Sequence, residues 1–291
     1  MFKGSIVALV TPMLDNGDID WDSFASLIEW HVESGTDAIV AVGTTGESAT
    51  VNTTEHKAAL RFTVEQAAGR IPIIAGAGGN ATAEAIELSL AAQEAGCAAT
   101  LQVVPYYNKP PQRGLYAHFK AIAEAVALPH LLYNVPGRTS CDLLPETVVA
   151  LAKISNIVGI KEASNMERML ELRACCPAGF TLLCGEDALS AEALCHGTID
   201  GVISVTANLM PQLMHEMVAA GLNGDYDRCR AINNQLAPLH DAMFFECNPL
   251  PVKWALHRLG KIGSTVRLPL VPLAVEKQAE VEAAMQSAVL I

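Results

Sequence analysis

The sequence predicts an α/β fold, a (β/α)8 TIM barrel with a C-terminal helical appendage, and three observations carry that prediction. Eight short apolar or β-branched runs recur, each followed by a polar or glycine-rich turn and then by a stretch of helical period rich in Ala, Glu and Leu. The runs are almost continuously apolar rather than alternating, as expected of parallel strands covered on both faces. No linker interrupts the eight units, which favours a closed barrel over an open doubly wound sheet.

The first run, 5–10, stops before Pro12 and leads to a helix expected over 21–34. The second, 38–42, ends at Gly43 and precedes a helix over 54–68. The third, 72–75, runs into Gly76-Ala77-Gly78 and a helix over 81–95. The fourth, 99–104, ends at Pro105 before a helix over 113–126. The fifth, 130–133, gives way to Pro136-Gly137 and a helix over 145–153. The sixth, 157–161, ends in Lys161-Glu162 and is followed by a helix over 165–174. The seventh, 181–184, meets Gly185 before a helix over 187–196, and the eighth is 201–205. From there the pattern is helical only, over 210–221, 225–242, 248–260 and 271–288, punctuated by Gly224, Pro249, Pro251 and Pro269. The expected division is a catalytic barrel over 1–224 and a C-terminal helical region over 225–291.

Composition narrows the function classes. A chain of 291 residues with 51% hydrophobic and 17% charged residues has material for a large core. No apolar run approaches the ~20 residues of a membrane span. The N-terminal apolar patch has one cation, is followed by Pro12 and Asp15, and lacks a small-residue cleavage site; it reads as the first strand of a cytoplasmic protein. A formal net charge of -12 excludes the basic stripe that nucleic acid or an anionic membrane would need. Anionic substrates would therefore require locally concentrated positive potential. The eight cysteines are scattered with no CxxC, and the histidines fall at no ligand spacing, so reduced thiols, no metal and no cofactor are expected.

A barrel builds its site at the C-terminal ends of its strands. Lys161 stands at such an end. Burial disfavours an ammonium, so an amine at the mouth of a core becomes a usable nucleophile near neutral pH and suits Schiff-base chemistry; a solvated strand end is the alternative reading of Lys161-Glu162. Gly43-Thr44-Thr45-Gly46 lets backbone N–H groups and two hydroxyls converge on an anion such as a carboxylate, or else supplies a threonine N-cap. Tyr133 and Tyr107 end adjacent strands, where phenols could pass protons beside a Schiff-base lysine or simply fill a core. Arg138, in a Pro-Gly turn, offers a bidentate fork for a carboxylate, or is a surface arginine. Gly76-Ala77-Gly78-Gly79-Asn80-Ala81 imitates a dinucleotide fingerprint but follows the third strand and lacks an acid at the end of the next; it reads as a close-packed turn. Lysine, two tyrosines, an anion nest and an arginine on one barrel face together point to an active site.

These residues also carry a resemblance. The segments Gly4-Ser-Ile-Val-Ala-Leu-Val-Thr-Pro12, Val42-Gly-Thr-Thr-Gly-Glu-Ser48, Pro105-Tyr-Tyr-Asn-Lys-Pro110, Tyr133-Asn-Val-Pro-Gly-Arg-Thr139 and Gly159-Ile-Lys-Glu-Ala163 resemble the dihydrodipicolinate synthase family of the pyruvate-dependent class I aldolases, nearly end to end. The resemblance implies that Lys161 forms an imine with pyruvate and that the derived enamine attacks L-aspartate 4-semialdehyde. The product would be 4-hydroxy-tetrahydrodipicolinate, in the committed step of diaminopimelate and lysine biosynthesis. It implies a proton relay of Tyr133, Thr44 and Tyr107, the last reaching into a neighbouring subunit's site. Thr45 and the backbone near Ile203 would hold pyruvate, and Arg138 the semialdehyde carboxylate. A homotetramer of two tight dimers is implied, as is a regulatory L-lysine site at Ser48, Ala49, His56, Asn80, Glu84 and Tyr106. Thr53 departs from a histidine found in some lysine-sensitive members. Asn165 replaces a common glycine, where a left-handed backbone is expected to survive, and Glu186 replaces a common aspartate. The competing readings are another superfamily lyase such as N-acetylneuraminate lyase, and a non-catalytic barrel that binds a small acid. Arg138 and the Thr44-Thr45 pair favour a small carboxylate-bearing aldehyde over a sugar acid, and a binding protein needs no proton relay.

Overall fold

The structure, a computed structural model, describes residues 2–291; Met1, at the head of the expected barrel range, lies outside the described residues. Eight parallel strands close into a barrel in sequence order. They are β1 (Gly4–Ala8), β2 (Ala38–Ala41), β3 (Ile73–Gly76), β4 (Ala99–Val103), β5 (His130–Asn134), β6 (Ile157–Glu162), β7 (Thr181–Cys184) and β8 (Gly201–Ser204). Closure is made by β8 on β1, with Gly4 opposite Gly201 and Ile6 opposite Ile203. A Cβ at Gly201 would lie 2.3 Å from the Gly4 carbonyl oxygen, so a side chain there would hold the seam open.

Helices α1 (Trp21–Glu33), α2 (Thr53–Ala67), α3 (Thr82–Ala95), α4 (Gln112–Ala125), α5 (Pro136–Thr139), α6 (Pro145–Leu151), α7 (Met166–Cys175), α8 (Asp187–Cys195) and α9 (Pro211–Leu222) follow the strands. The C-terminal region adds α10 (Tyr226–Ala242), α11 (Leu250–Arg258) and α12 (Val275–Ser287). Most boundaries fall within three residues of expectation. The short α5 was not expected, because Pro-Gly reads as a turn, yet proline at a first helical position is preorganised for it. Helix α12 starts only at Val275, since Pro269 and Pro272 keep the preceding stretch out of helix. Asn165 is a correction: its φ of -145° is extended, not left-handed, and its side chain caps α7 by accepting from the Arg168 N–H at 2.8 Å.

Strand parity places the chemistry. Ile6, Ala8, Val40, Ile74, Leu101, Leu131, Tyr133, Leu183 and Ile203 form the barrel's inner core, while Val7, Leu9, Ile39, Ala75, Leu132 and Ile160 face the helices and join the larger core between the layers. With Ile160 outward, the two-residue period turns Lys161 inward and Glu162 outward. Register then sets Lys161 opposite Tyr133, so both reach the same level of the barrel interior. No helix among the described residues is long and apolar enough to cross a membrane.

Candidate active site

A cavity of about 70 Å³ opens at the C-terminal mouth of the barrel. Thr44, Thr45, Tyr133, Arg138, Lys161 and Ile203 all line it. Lys161 is only 7% exposed, and its Nζ lies 4.3 Å from the centre of the Tyr133 ring. No carboxylate stands within ion-pair distance of Lys161 among the described residues; the face of Tyr133 lies against the amine instead. That arrangement buries an amine without committing it to a partner.

Glycine shapes the amine's path. A Cβ on Gly185 would come within 2.8 Å of Lys161 Cε and 2.7 Å of Ala163 Cβ. The next residue, Glu186, lines the cavity; burial pushes its carboxyl up from the ordinary range, against the opposing pull of Lys161 and Arg138.

Behind the strands, Glu162 is fully buried, and burial pushes its carboxyl up to about 7. Asn134 Nδ2 donates to both Glu162 oxygens at 3.1 Å and to Asp142 Oδ1 at 2.8 Å. Arg168 donates to both Asp142 oxygens, at 3.1 and 2.9 Å. This network ties β5 to β6 on the outer face, where it fixes the relative height of Tyr133 and Lys161.

The Gly43–Gly46 turn is bracketed by two left-handed residues, Val42 at φ 53° and Glu47 at φ 58°. It is not a helix cap: α2 is capped by Asn52, which forms a reciprocal capping box with Glu55. Thr11 Oγ1 instead donates to the Gly46 carbonyl at 2.7 Å, and Asn248 Nδ2 donates to Thr45 Oγ1 at 2.9 Å. Asn248 and Phe244 also line the cavity, and both were missed in the sequence. They belong to the region read as an appendage, and nothing in their spacing points to a turn 203 residues away. Arg138 sits on α5 with Nη2 3.4 Å from the Asn248 carbonyl oxygen, leaving its fork largely uncommitted.

Tyr107 is not brought to this cavity. The residue is 89% exposed, is left-handed with φ 73°, and does not line its own chain's cavity. The glycine-rich 76–81 stretch is a close-packed turn, as the sequence implied: a Cβ at Gly76 would lie 2.3 Å from the Val42 carbonyl oxygen, and one at Gly78 would lie 2.2 Å from Val103 N.

A second cavity, of about 350 Å³, adjoins the first and is lined by Ser48, Ala49, Thr53, His56, Glu84 and Tyr106. Asn80 is a correction here. It does not line the cavity but braces it, donating through Nδ2 to the Tyr106 carbonyl at 3.2 Å. His56 is buried, its Nε2 has no hydrogen-bond partner among the described residues, and burial, against a smaller opposing contribution from the Gly76 backbone, pushes it down to about 4, so it is neutral at physiological pH. Burial and the nearby Glu84 raise the Tyr106 phenol. Thr44, Ser48, Gly78, Val103, Val135, Arg138 and Asn248 line both cavities.

Residues 1–288 match the Dihydrodipicolinate synthetase family. The chain is 60% identical over 275 residues to the 4-hydroxy-tetrahydrodipicolinate synthase of Dichelobacter nodosus, covering 94% of this chain and 93% of that one. It superposes on the crystal structure of the chloride-inhibited dihydrodipicolinate synthase of Acinetobacter baumannii complexed with pyruvate at a TM-score of 0.98, with 49% identity and all of both chains covered. It is also similar in fold to the Cyanidioschyzon merolae enzyme with lysine bound, at a TM-score of 0.96 and 40% identity over 100% of this chain and 99% of that one.

Proposed function

This chain belongs to the dihydrodipicolinate synthetase family, and on that premise we propose how its residues condense pyruvate with L-aspartate 4-semialdehyde to 4-hydroxy-tetrahydrodipicolinate. Lys161 Nζ attacks the pyruvate carbonyl carbon, and loss of water leaves an imine. Loss of a C3 proton gives the enamine, whose carbon bonds to the aldehyde carbon of the semialdehyde. The semialdehyde's own amine then attacks the imine carbon, closing the ring and releasing Lys161 for the next turnover.

The observation that carries this reading is the buried amine held over the Tyr133 ring, unpaired, in a cavity walled by the Thr44–Thr45 turn. Tyr133 and Thr44 relay protons for imine formation and aldol addition. Thr45 and the turn's N–H groups hold the pyruvate carboxylate, with the backbone near Ile203 opposite. Arg138 takes the carboxylate of the semialdehyde. Tyr107, exposed and outside its own chain's cavity, completes the relay in a partner's site; the assembly is a homotetramer of two tight dimers. The catalytic unit is the barrel over 1–224, with helices over 225–291 contributing Asn248 to its mouth. The enzyme works in the cytoplasm, where its eight free thiols stay reduced.

Borohydride reduction in the presence of pyruvate, followed by peptide mass spectrometry, tests the core of this reading. A stable adduct on Lys161 is expected, and Lys161→Ala is expected to be inactive; an adduct on another residue, or full activity in the variant, refutes the mechanism. We further assign L-lysine to the second cavity as a feedback ligand: Glu84 offers a carboxylate to its ammonium groups, and Ser48, Ala49, His56, Tyr106 and the brace Asn80 complete the site. Isothermal titration is expected to detect L-lysine at millimolar concentration or below, and silence at that concentration removes the assignment.

A further inference from the structure

A buried ion pair joins the C-terminal region to the candidate pyruvate turn, and the chemistry above makes no use of it. Lys253, on α11, places Nζ 2.5 Å from Glu47 Oε1, with the two side chains 1% and 0% exposed. The same Nζ donates to the Thr11 carbonyl at 3.1 Å. The second oxygen, Glu47 Oε2, accepts from the Arg267 backbone N–H at 3.1 Å. Stability does not account for such a pair, because an apolar pair of similar volume is usually as stable or more so.

Position does account for it. Glu47 is the left-handed residue that closes the Gly43–Gly46 turn, a conformation unfavourable for any residue with a Cβ. Its N–H donates to the Thr44 carbonyl at 3.1 Å, and Ser48 N–H donates to the Gly43 carbonyl at 3.2 Å. The carboxylate that pins Glu47 therefore also pins the backbone of Thr44 and Thr45. There is an electrostatic side as well. A buried carboxylate two residues from Thr45 opposes an incoming carboxylate, and the buried ammonium cancels that field at its source.

We propose that Lys253 is a positioning residue for pyruvate: acting through Glu47, it holds the Thr44–Thr45 turn in its carboxylate-receiving form and neutralises the buried anion that would repel the substrate there. Lys253 does not line the cavity, so its action is indirect. The proposal rests on the assignment of this turn to the pyruvate carboxylate.

The test uses the full-length enzyme, Lys253→Met, and the double variant Glu47→Gln with Lys253→Met, which removes both charges together. Both KM values, kcat at saturating pyruvate, borohydride trapping at low pyruvate and the thermal midpoint are measured. In Lys253→Met the pyruvate KM is expected to rise about tenfold, with the semialdehyde KM and kcat within about twofold. The double variant, freed of an unpaired buried charge, is expected to keep a near-native midpoint and still show a pyruvate KM raised about threefold or more. A pyruvate KM within about twofold of wild type in the double variant, or equal losses in every kinetic constant, overturns the proposal. Should Lys253→Met not fold, the double variant and Lys253→Arg decide by the same split between the two KM values. Wild-type enzyme that traps no pyruvate would instead sink the assignment of the site, and this proposal with it.

Discussion

Replacing Gly185 by alanine tests whether catalysis depends on the exact height of the Lys161 amine. The backbone at Gly185 is not left-handed, so the cost is steric alone. The added Cβ would meet Lys161 Cε at 2.8 Å, whereas ordinary contact begins at 3.4 Å, and it would meet Ala163 Cβ at 2.7 Å. Ala163 is anchored by its N–H to the Asn134 carbonyl at 2.9 Å, so the contact with its Cβ is met by small backbone shifts that cost stability, while the flexible lysine relieves its own contact by retreating. The required retreat of Cε is about 0.6 Å, and a displacement of about 1 Å in a reacting group costs about 100-fold. Imine formation should therefore slow by about tenfold. Overpacking should cost about 1 to 3 kcal/mol of stability, which lowers the midpoint by several degrees without unfolding the enzyme at 25 °C. The assay is the single-turnover rate of borohydride-trapped pyruvate adduct, measured beside a thermal melt. A trapping rate equal to wild type in a folded Gly185→Ala enzyme refutes the reasoning, since the amine would then tolerate displacement.

Two further outcomes are expected from other parts of the site. Arg138→Ala should raise the semialdehyde KM by about 10- to 100-fold while the pyruvate adduct on Lys161 still forms at its normal rate; equal loss of both contradicts the role given to the guanidinium. Stability should rise with pH between about 4 and about 7, because three histidines held neutral by burial outweigh the one carboxyl that burial keeps protonated. Glu162, raised from 4.5 to about 7 by burial, contributes fully below 4.5 and loses that contribution as pH rises through about 7. His31, His56 and His118, pushed down by burial from 6.5 to about 3, about 4 and about 4, contribute fully above 6.5 and lose as pH falls towards those values. Glu162→Gln should remove the one opposing contribution and so enlarge the rise in stability between pH 5 and pH 8.5 by about 2 kcal/mol, read by denaturant unfolding at both pH values. An unchanged pH dependence in the variant places the titration elsewhere.

Most of the barrel was legible because each strand is a short apolar run with a punctuating turn, and eight parallel strands that must close on one another leave little freedom for the helices between them. Lys161 could be read from 157–161 because parity and strand end are local properties. Thr44, Thr45, Tyr133 and Arg138 were legible for the same reason. Asn248, Phe244 and Lys253 were not: they come from a region whose helical periodicity reports only its own buried faces, and the partners of Asn248 and Lys253 lie some 200 residues earlier. Asn165 was misread because asparagine serves both left-handed turns and helix caps; the N–H of Arg168 decided between them.

The shared wall between the two cavities has a thermodynamic consequence. Thr44, Arg138 and Asn248 face both, so a ligand in the larger space cannot shift them without altering what the smaller one binds. Linkage makes that exchange symmetric: whatever factor an occupant of the outer cavity imposes on pyruvate affinity, bound pyruvate imposes on that occupant. Titrating the outer cavity with and without pyruvate thus measures the coupling from the side where no turnover complicates it.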